Sequence, residues 1–168
     1  TGPITLTNGG TLAINLADTD FRFVDSRSQQ RLVTGDGNLV QKGTGTTIVD
    51  VAHTYTGDTT ILGGTLRLVM ETGQLGSDAT KAVVTGVGTD KGTFELSNAD
   101  TATPQTFTRR ITGTGNLRKV GAGSVTLDTD GVPLDYTGDT RVSDGTLVLD
   151  TGNHITQTQN LVVSAEGE

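Results

Sequence analysis

Apolar and polar residues alternate along this chain in short runs, each too brief for a helix and each closed by a turn. Leu12, Ile14 and Leu16 alternate with polar or small neighbours, as do Phe21 and Phe23, Leu66 and Leu68, Phe94 and Leu96, and Leu147 and Leu149. A period of two places Leu66 and Leu68 on one face of a strand and Thr65 and Arg67 on the other. Between the runs stand Thr-Gly-Asp, Gly-Gly-Thr and Asp-Gly-Thr, where glycine supplies unusual backbone angles and aspartate a local side-chain acceptor. The pattern predicts strand, turn, strand, turn throughout, including strands at Ala82-Val83-Val84-Thr85, Thr106-Phe107-Thr108 and Leu161-Val162-Val163. No segment reads as a helix.

The alternation is organised by a repeat whose copies occupy residues 35–68 and 113–149. In the first half Gly35, Gly37, Asn38, Leu39, Gly43 and Gly45 recur 78 positions later as Gly113, Gly115, Asn116, Leu117, Gly121 and Gly123. In the second half Tyr55, Thr56, Gly57, Asp58, Thr59, Gly64, Thr65, Leu66 and Leu68 recur 81 positions later as Tyr136, Thr137, Gly138, Asp139, Thr140, Gly145, Thr146, Leu147 and Leu149. The three extra residues fall around 131–134, which marks a loop. Looser echoes of the Gly-Thr-Leu ending occur at Gly10-Thr11-Leu12 and Gly92-Thr93-Phe94.

Composition selects among folds made of short repeated strands. With 24 glycines, no tryptophan and 4% aromatic residues, the chain is poorly supplied for a sandwich core or a propeller blade. A solenoid needs only a thin column of Leu, Ile and Val stacked coil on coil. The expectation is an all-β, right-handed single-stranded parallel β-helix over residues 1–168, with roughly 20–25 residues per coil and seven or eight rungs.

The two copies closely resemble the passenger-associated repeat of bacterial autotransporters, approximately G-x-G-x-L-x-K-x-G-x-G-T-L-T-L followed by N-T-Y-T-G-x-T-x-V-x-x-G-T-L-x-L. Gly73-Gln74-Leu75-Gly76 looks like a further turn of that family. The chain departs from the pattern where His53 stands in place of the usual Asn, where Leu134-Asp135 replaces Asn-Thr, and where Lys119 sits one place earlier than Lys42. Residues 17–32 match nothing in it. The resemblance implies a surface-displayed or released passenger segment of a Gram-negative bacterium, a piece of a longer passenger, acting as a non-enzymatic adhesin or virulence module. Its partner would be a host cell-surface or matrix protein, or another passenger. The alternative is a stalk or folding nucleus that aids translocation. The residues carrying the resemblance are Gly37, Gly43, Gly45, Tyr55, Gly57, Gly64 and Leu66, and Gly115, Gly121, Gly123, Tyr136, Gly138, Gly145 and Leu147.

Charge and chemistry narrow the function further. A formal charge of −7 repels nucleic acid and anionic bilayers on average, and no basic cluster is longer than Arg109-Arg110. No apolar run is long enough to span a membrane as a helix. Cysteine is absent, which removes disulfides and thiolate sites and suits a chain threaded through an outer-membrane pore. Asp58 and Asp139 occupy equivalent positions, which reads as recurrence at one corner of the coil, several rungs apart and too distant for a glycosidase pair. His53 and His154 lack any accompanying catalytic motif and read as exposed turn residues. Asn38 and Asn116 read as turn caps, and Tyr55 and Tyr136 as corner packing. The glycine-rich stretch 86–92 lacks the following helix of a phosphate loop. A polysaccharide-degrading β-helix is disfavoured by scattered carboxylates and the missing tryptophan. Neither a cofactor nor a metal is indicated. Two polar excursions, residues 25–31 and 97–104, are the candidate recognition loops.

Overall fold

In the computed structural model, which describes residues 2–17, 20–24, 27, 29–150 and 160–163, the chain winds as a parallel β-solenoid with three sides. The first coil comprises β1 (Ile4–Leu6), β2 (Thr11–Ile14) and β3 (Phe21–Arg22), one strand per side. The second comprises β4 (Val33–Gly35), β5 (Asn38–Gln41) and β6 (Thr46–Val49). The third opens with an extended segment at 53–56 and continues with β7 (Thr59–Ile61) and β8 (Thr65–Val69). The fourth opens similarly at 74–77, followed by β9 (Val83–Thr85) and β10 (Thr93–Ser97). The fifth holds β11 (Gln105–Phe107), β12 (Ile111–Gly113) and β13 (Asn116–Val120), and the sixth β14 (Ser124–Leu127), β15 (Asp135–Tyr136) and β16 (Thr140–Val142). A further coil begins with β17 (Thr146–Leu149) and is represented on the third side by β18 (Leu161–Val163).

Every strand pairs in parallel with its counterpart one coil away. The third side stacks seven strands from β3 to β18, and the second side six from β2 to β15. On the first side β1 pairs with β4, and Thr54 and Thr56 donate their amides to the carbonyls of Val33 and Gly35 at 2.9 Å. Ser77 then donates to Tyr55. The side breaks after 74–77 and resumes as the three-stranded ladder β11, β14 and β17.

The structure contains about six turns, fewer than the seven or eight expected. The difference lies in uneven coil length: Thr46 and Thr65 are paired across 19 residues, whereas Thr65 and Thr93 are paired across 28. Excursions near 86–92 and 98–104 lengthen coils without adding rungs.

Alternation fills the interior as the hydrophobic pattern predicts. Leu66, Leu68, Phe94, Leu96, Leu117, Val125, Leu127 and Ile111 all lie in one continuous buried column, with Phe94 and Phe107 in ring contact at 5.3 Å. Each coil contributes only a few such side chains, so stability comes from stacking on neighbouring coils.

The repeat motif is spelled across two stacked coils. Gly37-Asn38 forms a corner, and Gly57-Asp58 lies directly on it one coil later: Gly57 donates its amide to Gly37 O at 3.1 Å and Asp58 donates to Asn38 Oδ1 at 2.8 Å. Asn38 also donates to Gly9 O in the preceding coil, so one side chain ties three coils together. In the second copy Asp139 donates to Asn116 Oδ1 at 2.9 Å, and Asn160 donates to Asp139 Oδ1 at 2.8 Å. A methyl group on Gly57 would sit 2.3 Å from Gly37 O, and one on Gly138 2.1 Å from Gly115 O. The upper corner therefore tolerates only glycine.

The two copies do not stack on the same sides. Gly35 ends a strand of the first side and Gly113 a strand of the second, while β5 is on the second side and β13 on the third. Moving 78 residues along the chain advances three coils and one side. Asp58 and Asp139 accordingly sit at different corners, not at one shared corner as their equivalence suggested.

Gly57→Ala and Gly138→Ala are expected to lower unfolding stability by about 1–3 kcal/mol each through forced separation of the coils. Gly2→Ala, whose added methyl meets nothing within 4 Å, should leave it unchanged; denaturant titration followed by circular dichroism compares the three.

Candidate interaction surface

The outer surface of the third side carries a column of charged residues. Register fixes its central column, since β3, β6, β8, β10, β13 and β16 place Arg22, Ile48, Arg67, Glu95, Arg118 and Arg141 directly opposite one another in order. Each flanking residue on those strands points inward, so the column faces out. Ile48 is nonetheless buried between its arginine neighbours.

Glu95 is the pivot. Its carboxylate accepts from Arg67 Nε on one side and lies 3.2 Å from Arg118 Nη1 on the other. The two guanidinium-bearing side chains remain roughly a third exposed while Glu95 is almost wholly covered. Arg118 and Arg141 both donate from Nε to the single Oγ of Ser143, at 3.1 and 3.2 Å. Arg22 pairs with Asp50 at the other end. A cleft beside Arg118 and Arg141 is lined by Thr93, Asn116, Leu117 and Asp139. Parallel to the arginines runs a second outward column of Thr46, Thr65, Thr93 and Asn116, again in register.

The repeat positions serve packing. Tyr55 and Tyr136 are buried on the first and second sides, and each hydroxyl meets the threonine four residues on, Thr59 at 2.6 Å and Thr140. Burial pushes both phenols up to about 12. Gly64 and Gly145 adopt positive φ at the turns before β8 and β17, and Gly43, Gly45, Gly121 and Gly123 line the stacked corners below them. Leu66 is fully buried, whereas Leu147 is partly covered beside the last coil.

Of the histidines, His154 lies outside the described residues, and His53 is not the exposed turn residue expected. It is fully buried. His53 and Tyr55 alternate inward on the segment 53–56. The imidazole accepts the Val33 amide at Nδ1 (3.1 Å) and meets Phe23 edge-on at 4.6 Å. Its Nε2 has no hydrogen-bond partner. Burial lowers its pKa to about 4, opposed by the Asp50 carboxylate.

The candidate loops are exposed at Arg27, Gln29, Gln30 and residues 99–104, and several of their groups are tied to the body of the solenoid. Asp25, Ser26 and Ser28 lie outside the described residues; of their neighbours, Arg31 donates to Gly2 O and Gln30 to Asp50 O. In the second loop Asn98 is fully buried and its amide donates to Ser124 O and Thr103 O. Glu71 Oε1 accepts the Ala99 amide, and Asp100 accepts that of Ala102. Hydrogen bonds from Thr103 and Ala102 hold the Asp100 carboxyl below its ordinary range.

Two inward cations also escaped the sequence reading. Lys119 faces the interior and donates its amine to the carbonyls of Val120 and Asp144, while burial lowers its pKa. Gln41, its counterpart in the first copy, donates to Gly43 O and Gly45 O. Arg109 is buried where the first side breaks and donates to Gly76 O at 2.9 Å. Among the described residues no three His, Asp or Glu side chains converge as a metal site.

Residues 39–68 and 117–149 match the family described as the passenger-associated-transport-repeat. Over 139 residues, 77% of its length, the chain is 33% identical to a curated relative, the "Adhesin BmaC autotransporter" of Brucella suis biovar 1 (strain 1330). The chain is a stretch of autotransporter passenger carrying these repeats. It spans about 4% of that relative's length. No solved structure matches it.

The passenger's arginine column was invisible one segment at a time, because its members belong to six separate strands. The signal lay in aligning Gly-Thr-Leu-Arg-Leu, Gly-Thr-Phe-Glu-Leu and Gly-Asn-Leu-Arg-Lys, which place Arg67, Glu95 and Arg118 at one position.

Glu95→Gln should destabilise the passenger by about 1–3 kcal/mol, a buried-pair loss discounted for the exposure of its partners. Added salt should recover part of that loss by screening the facing arginines, read from melting curves. His53 is protonated more readily when unfolded, so its contribution is complete above the ordinary pKa of 6.5 and falls as pH drops toward about 4. At ~1.4 kcal/mol per pKa unit the loss approaches about 3 kcal/mol. His53→Asn, which retains an acceptor for Val33 N–H, should flatten the stability profile across that window.

Proposed function

We propose that this chain is an adhesin-like interaction module, displayed on a Gram-negative cell surface or released from it. The single observation that carries the reading is the likeness, over most of the chain, to a protein named as an adhesin autotransporter. The physical organisation supports it. A stack of coils held by backbone hydrogen bonds makes a stiff rod, and its outward columns can meet a partner without disturbing the interior. The partner is a host cell-surface or matrix protein, or a passenger on a neighbouring cell.

The reading is non-enzymatic. Asp58 and Asp139 stand on different corners, His53 is committed to the core, and Glu95 is engaged by two arginines. Catalysis by paired carboxylates needs both within about 10 Å of one sugar.

A second role, as spacer and folding segment, is favoured by the use made of the motif itself. Its glycines, asparagines and tyrosines are spent on stacking one coil upon the last. Each completed coil thereby templates the next, which suits a chain that folds as it emerges from a pore.

The test is adhesion of beads coated with the folded, monomeric chain to host cells, with bead clumping scored in parallel. Saturable attachment or clumping above an uncoated control is the expected result. Neither, from protein whose circular dichroism is β-rich, would leave the spacer role alone.

A further inference from the structure

The arginine column on the third side breaks a rule of sheet construction. Like charges directly opposite on neighbouring strands repel, and sheets generally avoid them. Here Arg118 stands opposite Arg141, one coil apart, and Ser143 Oγ accepts from both. Glu95 reaches Arg118 but not Arg141, whose charge has no carboxylate at salt-bridge distance among the described residues. The column holds four of the chain's twelve Lys and Arg residues, against Glu95 and the adjoining Asp50 from nineteen acidic ones. A positive strip thus runs along an otherwise acidic rod.

Local violations of this kind mark sites where something other than stability is served. We propose that the third side binds a linear, acidic polysaccharide lying along the solenoid axis, with Arg118 and Arg141 as its principal contacts. The proposal rests on reading the chain as an interaction module and names the chemistry that module takes.

Three features select a glycan as the occupant. Coils repeat at about 4.8 Å, so the column from Arg22 to Arg141 is a straight strip roughly 24 Å long, suited to a polymer with regularly placed sulfate or carboxylate groups. Beside it the outward Thr46, Thr65, Thr93 and Asn116 present hydroxyls and an amide at the same spacing, matching a chain dense in hydroxyl groups. Between Arg22 and Arg141 the strip's own aliphatic member, Ile48, is buried, and the exposed aliphatics of this side, Leu161, Val162 and Val163, are confined to β18 beyond Arg141, so the strip itself offers no apolar anchor of the kind on which protein interfaces depend. Asp139, at the edge of the cleft, is occupied by Asn160 and sets a negative boundary on one flank. With its Nε held on Ser143 and no carboxylate at salt-bridge distance among the described residues, the exposed Arg141 keeps its terminal guanidinium nitrogen atoms for an incoming anion, and a guanidinium fork recognises sulfate and carboxylate.

Heparin is the probe, immobilised and titrated with the folded chain at low and physiological salt, beside uncharged dextran and poly-glutamate. Salt-sensitive binding to heparin, with dextran inert and poly-glutamate weaker, is the expected result. Arg141→Glu should weaken it by about tenfold or more, the scale of one charge-assisted contact. Arg141→Gln, which adds no new charge, should weaken it less while melting as the wild type does. Absence of heparin binding by folded protein, or binding unaltered in both variants, overturns the proposal. Poly-glutamate bound as tightly as heparin overturns it in favour of an acidic peptide. Cell adhesion of coated beads is read separately: adhesion that survives Arg141→Glu leaves the module reading intact while sinking the glycan.

Discussion

Successive coils approach so closely at their corners that a carbonyl oxygen of one occupies the space a side chain of the next would need. Gly57 over Gly37 and Gly138 over Gly115 are the plainest cases, with the missing methyl replaced by backbone contact. Parallel pairing requires the amide of each strand to reach the carbonyl of the strand below, and that spacing must persist around every bend. A corner able to bend without spreading the coils therefore needs glycine above and an acceptor below. Asn38 and Asn116 supply the acceptor, and the arrangement explains why the repeat has two halves separated by about one coil.

The thin interior then has its own problem, since inward polar groups cannot reach bulk water. They are satisfied by the corners. Gln41 and Lys119 bend back to the carbonyls of the turns that follow them, Thr47 donates to Gln41 Oε1 at 2.6 Å, and Asn98 spans two coils. Tyrosines close the corners from within by reaching the threonine four residues on. His53 is the exception, satisfied at Nδ1 and orphaned at Nε2, which makes it a soft point in the second and third coils as pH falls.

Much of the architecture was legible because a period of two is a local property. Strands at 65–69, 93–97 and 161–163 fall where alternation placed them. The number of sides was not legible, because alternation within a strand says nothing about the angle at which the next begins. The coil count failed for the same reason, as excursions consume residues without adding rungs. His53 was misjudged from its polar neighbours, although its spacing of two from Tyr55 already assigned it to the inner face. The arginine column required the register between strands separated by 19 to 28 residues, which appears only after the coils are aligned.

The rotation between the copies bears on what a partner can recognise. A ligand lying against one side of the rod meets the Asn38 corner or the Asn116 corner, but not both in the same orientation, because they are turned by one side about the axis. Bivalent recognition of the motif by a straight ligand is thereby ruled out by geometry. Further copies at the same spacing would return to the starting side only after three steps, tracing a screw around the rod. The motif is thus an instruction addressed to the chain itself, and the outward columns between its corners are the straight text that an outside partner can read.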